Sequence, residues 1–299
     1  MRPLHLGKHT AALPVAFVWT LTLSSGAAGA QSPVAAEPAA GGISSALRGD
    51  FHLVGRTLSR NLRSELLPDD GARWTYLGSL AAVSAYLESD KERLRQDVLR
   101  SGFDRRSGWT DVGGELGKGR VTQAAAALLY GGGLLAGQPR VRQTGLLLAE
   151  SYATAQTTAG LLNYVVSERR PQEGGEIRYF QGGGSSVSLH MTNTMVLAEV
   201  LDHQVTRIEA GDSAGRRAAK ILGKVVLYGI PTVTAWQRMR ADQHYLWNVV
   251  LGAGQSFYVT RGVLRAHDAE TGRPPWLPQL ALGPTATGGG RRVLLTWTF

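Results

Sequence analysis

Three short segments set polar, phosphate-compatible residues into otherwise apolar, helix-like surroundings. The first, NYVVSERRP (163–171), ends in Arg169 and Arg170 before Pro171. The second, QGGGSSVSLH (181–190), runs a triple-glycine loop into Ser188 and His190. The third, QRMRADQHYLWN (237–248), carries Arg238, then His244 six positions on, then Asn248 one helical turn further. A guanidinium fork matches the oxygens of a phosphate group. A helix N-terminus adds free backbone N–H groups, and a serine there adds a hydroxyl. A neutral imidazole can act as nucleophile while a second protonates a leaving oxygen. Each segment alone has a plainer reading: cations at a helix C-terminus, an ordinary capped helix, a surface loop with a satisfied histidine. Together they form a set for holding and attacking a tetrahedral oxyanion. No acidic metal cage is apparent, and no cofactor is expected.

The elements that must position these residues read as helices, so the expected class is all-α. Apolar residues at three- and four-residue spacing run through 49–67, stopping before Pro68. Residues 72–90 are apolar nearly all round, the pattern of a helix buried between others. The charged, amphipathic stretch 90–103 belongs on the surface. Segments 121–137 and 144–166 are rich in Ala, Gly and Leu, which permits close helix approach. In 144–166 the helix is expected to run to Pro171 and project Arg169 and Arg170 from its end. Segment 218–236 contains Pro231, expected to kink or break it, and His244 is expected to start the last helix, 244–267. Gln123, Gln138, Glu150, Gln156 and Lys224 interrupt the most apolar stretches, so a water-soluble bundle is preferred to membrane spans. The tail, 275–299, has two short runs around a Gly-rich turn and reads as a β-hairpin.

At 299 residues the chain is long enough to bury a sizeable core. Arg2 and Lys8 precede an apolar stretch, and Ala28-Gly29-Ala30 then offers a small-residue cleavage site. These are the parts of a signal peptide, residues 1–30. A Pro/Ala/Gly linker follows over 31–45, then a helical domain over 46–271 and the hairpin tail over 272–299. Losing Arg2 and Lys8 lowers the formal charge from +9 to +7. A basic exported protein has anionic partners available, among them phosphate groups and acidic lipid surfaces. The absence of cysteine excludes disulfides and thiolate chemistry. Export without disulfides fits a bacterial periplasm.

The order and spacing of the three segments resemble the type 2 phosphatidic acid phosphatases. That family shares a helical core with vanadium haloperoxidases and bacterial class A acid phosphatases. Its motifs are a Lys, six residues, Arg-Pro; then Pro-Ser-Gly-His; then Ser-Arg, five residues, His, three residues, Asp. The likeness covers roughly residues 50–265. It implies that Arg170 and Arg238 bind phosphate oxygens and that Ser188 and the Leu189 N–H complete the cradle. It implies that His244 attacks phosphorus and His190 protonates the leaving alkoxide. Five positions depart from the pattern: Asn163 stands for the phosphate-binding Lys, Val187 and Leu189 flank Ser188, Gln237 precedes Arg238, and Asn248 replaces the Asp that orients the nucleophile. An Asn there cannot stabilise an imidazolium and can favour the wrong tautomer; in a serine-protease triad the equivalent change costs on the order of 10⁴ in rate. Arg169 or Arg178 is available to replace the lost Lys charge.

The resemblance therefore implies an exported hydrolase of phosphomonoesters or lipid (pyro)phosphates, working slowly through a phosphohistidine. Its rivals are a non-catalytic binder of phosphate or lipid phosphate with the same fold, and a structural envelope protein attached through its basic surface and tail. The expected partner is a phosphate-bearing small molecule or lipid head group, with peripheral envelope-membrane association compatible and nucleic acid not expected. On this reading His244→Ala abolishes activity, while Asn248→Asp and Asn163→Lys raise it.

Overall fold

The computed structural model describes residues 43–66, 71–101, 108–209, 211–272, 278–284 and 291–297. The signal peptide and most of the linker read from the sequence lie outside them. The described chain is mostly helical. Helices α1 (Ile43–Leu66), α2 (Gly71–Ser89), α3 (Lys91–Arg100), α4 (Gly108–Leu116) and α5 (Gly119–Leu135) lead into the long α6 (Pro139–Val165). A small antiparallel ribbon, β1 (Val166–Glu168) with β2 (Ile177–Tyr179), precedes α7 (Leu189–Leu201), α8 (Ala214–Arg240) and α9 (Leu246–Thr271). Two further strands, β3 (Pro278–Pro284) and β4 (Arg291–Trp297), pair antiparallel with Pro278 opposite Trp297.

The core lies where α6, α7 and α9 meet, around Leu147, Leu148, Ala155, Val196, Val200, Val259, Val263 and Leu264. Burying such side chains is worth roughly 1.5–3 kcal/mol each for the larger ones. Helices α5 and α6 pack closely enough that a Cβ on Gly145 would sit 2.2 Å from the Tyr130 backbone nitrogen. Polar contacts knit the other side of the core: Glu199 on α7 pairs with Arg261 on α9, and Tyr228 on α8 donates to Glu199. Lys224, read as an interruption of an apolar stretch, turns inward to pair with Asp202.

Several expectations need correction. α2 is not enclosed between helices: it packs mainly on α9 and leaves Trp74, Val83 and Tyr86 exposed. Pro231 does not break α8, which runs through it unbroken; the fixed φ of proline is already helical, and only one backbone bond is forgone. α6 ends at Val165 rather than just before Pro171. Residues 166–168 prefer to pair with 177–179, so Arg170 begins a single 3₁₀ turn, Pro171–Glu173, instead of closing a helix. α8 also carries an apolar face that none of the described residues covers: Leu222, Val225 and Val226 are 65%, 64% and 60% exposed. It is the one helix among the described residues long and apolar enough to cross a membrane.

Candidate functional site

The ribbon, the triple-glycine loop and the turn before α9 bring the three segments together. Arg170, released from helical geometry by Pro171, donates from Nη1 to Gln243 Oε1 at 2.6 Å. Arg238, in the last turn of α8, approaches the same oxygen at 3.5 Å from Nη2. Two guanidinium groups thus converge on one neutral oxygen. Neither forms an ion pair among the described residues, and Arg238 Nε has no hydrogen-bond partner. Burial, followed by repulsion from Arg170, lowers Arg238 to about 10, still a cation at neutral pH. A like-charged, under-satisfied pair is a place for an anion.

His244 is buried just ahead of α9, and its Nδ1 lies 3.2 Å from the Ser185 carbonyl oxygen. A carbonyl can only accept, so Nδ1 carries the proton and Nε2 keeps its lone pair. Burial and then Arg238 push His244 down to about 3, so it is neutral through the physiological range. His190 stands in the first turn of α7, half-buried, and is lowered to about 4 by burial, Arg238, Lys118 and Arg170. Gly117 lies flat against its ring: a Cβ there would come within 2.7 Å of Cδ2. Lys118, in the turn from α4 to α5, was not singled out by the sequence, because nothing local marks that turn as part of a site. Gln243 was missed as well, although it adjoins His244.

The two asparagines do structural work. Asn163 is buried in α6 and clamps Val187, accepting from its N–H at 2.7 Å and donating to its carbonyl at 3.1 Å. Its amide is turned to that backbone, so the position read as phosphate-binding is a brace for the loop. Asn248 does not touch His244 through any hydrogen bond in the structure. Its Oδ1 accepts from the Tyr245 N–H at 2.8 Å, capping α9, and its Nδ2 donates to Glu168 Oε2 at 2.7 Å and the Ser186 carbonyl at 3.1 Å. Glu168 has a fully enclosed side chain and also pairs with Lys91 at 2.8 Å. Burial pushes its carboxyl up, against the opposing pull of Lys91 and Asn248. The Glu168 carbonyl accepts from the Ser185 N–H at 2.8 Å, and the Ser185 carbonyl in turn holds His244. An acid thus lies beside Asn248, but it is the main chain of Glu168, not its carboxylate, that connects to the loop carbonyl holding His244.

Ser188 caps α7 by position, but its hydroxyl is fully buried without a hydrogen-bond partner, and its N–H donates to the Asn248 carbonyl. The first helical N–H to bond back is that of Thr192, to the Ser188 carbonyl, so the earlier N–H groups of the turn, starting with the half-exposed Leu189, point out of the helix start. Arg178 is held by Glu176 at 2.7 Å, which neutralises it. Arg169 lines a polar cavity of about 680 Å³ with Arg170 and the 182–184 glycines. Among the described residues no group of three or more His, Asp or Glu side chains is arranged to hold a metal ion. No family model, no curated protein and no solved structure matches the chain.

Proposed function

We propose that this protein is a phosphate-group hydrolase of the type 2 phosphatidic acid phosphatase kind, acting from the helical bundle of that class. The observation that carries the reading is the convergence of Arg170 and Arg238 on one point beside a neutral His244 whose Nε2 is left unprotonated. The two guanidiniums hold the non-bridging oxygens of a phosphomonoester and offset charge as it builds. His244 Nε2 attacks phosphorus, the bond to the leaving oxygen breaks, and a protonated His190 delivers its proton to that oxygen. A water then gives its proton back to His190 while its oxygen displaces the phosphohistidine nitrogen, releasing phosphate. In the free protein His190 is neutral; the incoming anion supplies the negative charge that raises its proton affinity.

The uncovered face of α8 supports a lipid-borne substrate. Between residues 221 and 237 the helix carries one charge, Lys224, which is turned inward, and Arg238 stands on that inward side at the end of the stretch. Association of the face with an envelope membrane, from the periplasmic side, would bring the arginine pair to head-group depth. The β3–β4 hairpin belongs to this reading as an accessory to the bundle. A second reading, a phosphate binder without turnover, is favoured by the absence of a carboxylate on His244. The deciding experiment is phosphate release from an aryl phosphate and from a lipid phosphate in vesicles, beside His244→Ala. Release lost in the variant supports the hydrolase. Release equal to the variant, with phosphate still protecting the fold against heat, supports the binder.

A further inference from the structure

A second cavity, of about 660 Å³, lies away from the arginine pair, between α1 and the α5–α6 pair. That volume is in the range of sites that enclose small organic ligands. Its walls are largely apolar, widened by small residues such as Ala149 and Ala153 on α6. The charged residues lining it are two acids, Asp50 and Glu150, and no Lys or Arg lines it, in a chain whose net charge is +9. Three aromatic rings, Phe51, Tyr130 and Tyr152, complete the lining. Asp50 accepts from Tyr130 Oη at 2.8 Å and pairs with Arg142 at 3.4 Å, so its charge is already matched. Glu150 is different. The residue is 7% exposed, Oε1 accepts from Thr57 Oγ1 at 2.7 Å, and Oε2 has no hydrogen-bond partner among the described residues. A buried carboxyl oxygen left unpaired in a cavity that its own residue lines calls for a donor from outside the chain.

We propose that this cavity binds a cationic amphiphile, an apolar chain bearing a protonated amine, with the ammonium on Glu150 Oε2. The apolar chain lies along the alanine-lined wall. The amine supplies the missing hydrogen bond and the opposite charge, and the aromatic faces favour a cation in the same place. An anionic amphiphile would meet the Glu150 carboxyl with no base among the lining residues. Burial already raises Glu150 to about 7, so the carboxyl is readily ionised by an arriving cation. The site is independent of phosphate chemistry.

The test is calorimetric titration of the full chain with submicellar dodecylammonium, dodecanoate and butylammonium. Dodecylammonium should bind at least tenfold more tightly than either of the others. Glu150→Gln keeps the acceptor for Thr57 and should remove most of the preference for the amine over dodecanoate. Ala153→Trp, which fills the wall, should weaken dodecylammonium at least tenfold. Circular dichroism establishes that each variant is folded, and Glu150→Gln alone decides if Ala153→Trp is not. Equal binding of amine and carboxylate, a preference unchanged in Glu150→Gln, or no binding to the folded chain would each overturn the proposal.

Discussion

Replacing Asn248 by Asp tests the geometry most directly, because the sequence pattern and the structure predict opposite results. The pattern expects the acid to improve the site. In the structure Asn248 is fully buried, with Nδ2 between Glu168 Oε2 at 2.7 Å and the Ser186 carbonyl at 3.1 Å. An aspartate oxygen in that place faces two acceptors and must carry a proton to stay. Holding that proton at pH 7 against an unfolded-state pKa near 3.9 costs up to ~4 kcal/mol. The new O–H···O⁻ bond to Glu168 returns about 2 kcal/mol, leaving a deficit of about 2 kcal/mol at pH 7 by the same linkage. The folded variant binds more protons than the unfolded chain above pH ~4, so its stability falls as pH rises, by up to ~1.4 kcal/mol per unit. The deficit should therefore be near zero at about pH 5 and reach ~3–4 kcal/mol at pH 8, where an ionised buried pair sets the ceiling. Urea unfolding of both proteins at the two pH values, followed by circular dichroism, measures it. A variant as stable as the parent at pH 8, or one that releases phosphate faster, would refute the Glu168–Asn248 assignment.

Four other outcomes follow from named contacts. Asn163→Lys should lower stability by about 2–4 kcal/mol in urea unfolding, since the Val187 N–H and carbonyl each lose a buried partner worth roughly 1–3 kcal/mol, and phosphate release should fall rather than rise. Gln243→Glu should place a carboxylate between Arg170 and Arg238 and weaken inorganic phosphate at least tenfold by titration, while Gln243→Ala should not. Gly117→Ala should displace the His190 ring and reduce phosphate release at least tenfold with a change in thermal midpoint of only a few degrees. Because His244 is held near 3, the unfolded chain takes up a proton below about pH 6.5 that the folded chain refuses. Stability should fall between pH 6.5 and 5 by about 1–2 kcal/mol from this group, and His244→Gln should flatten that part of the profile.

The helices were legible because their signals are local. The Ala/Leu/Gly segments became α5 and α6, and the charged stretch became the surface helix α3. The errors came from properties that a single segment does not carry. The composition of α2 is that of a buried helix, but the single large neighbour that would make it one, α9, covers only one side. The β1–β2 ribbon depends on Val166 meeting Tyr179 across a turn of glycines, a pairing with no period to read. At the site, residue types and spacing named Arg170, Arg238, His190 and His244, and the structure brings all four within electrostatic reach of one another. Partner choice was not legible: the amides of Asn163 and Asn248 take main-chain groups of Val187, Tyr245 and Ser186 that are distant or unmarked in the sequence, and the Ser188 hydroxyl takes none.

The case of Asn248 shows why a missing acid need not leave a histidine misoriented. A carboxylate beside an imidazole does two separable things: it selects the tautomer, and it stabilises positive charge. The Ser185 carbonyl performs the first, since it accepts the Nδ1 proton and leaves Nε2 free. For the second, no carboxylate among the described residues hydrogen-bonds His244: the Glu168 side chain is engaged by Lys91 and Asn248. On the proposed hydrolase reading, a histidine organised in this way stays neutral to low pH and is ready to attack, but the imidazolium character that would develop on phosphorylation is weakly supported. The expected signature is a site that binds phosphate well and turns over slowly. Gln243 adds to it, since its oxygen already lies where the two arginines converge and must yield to any phosphate that enters.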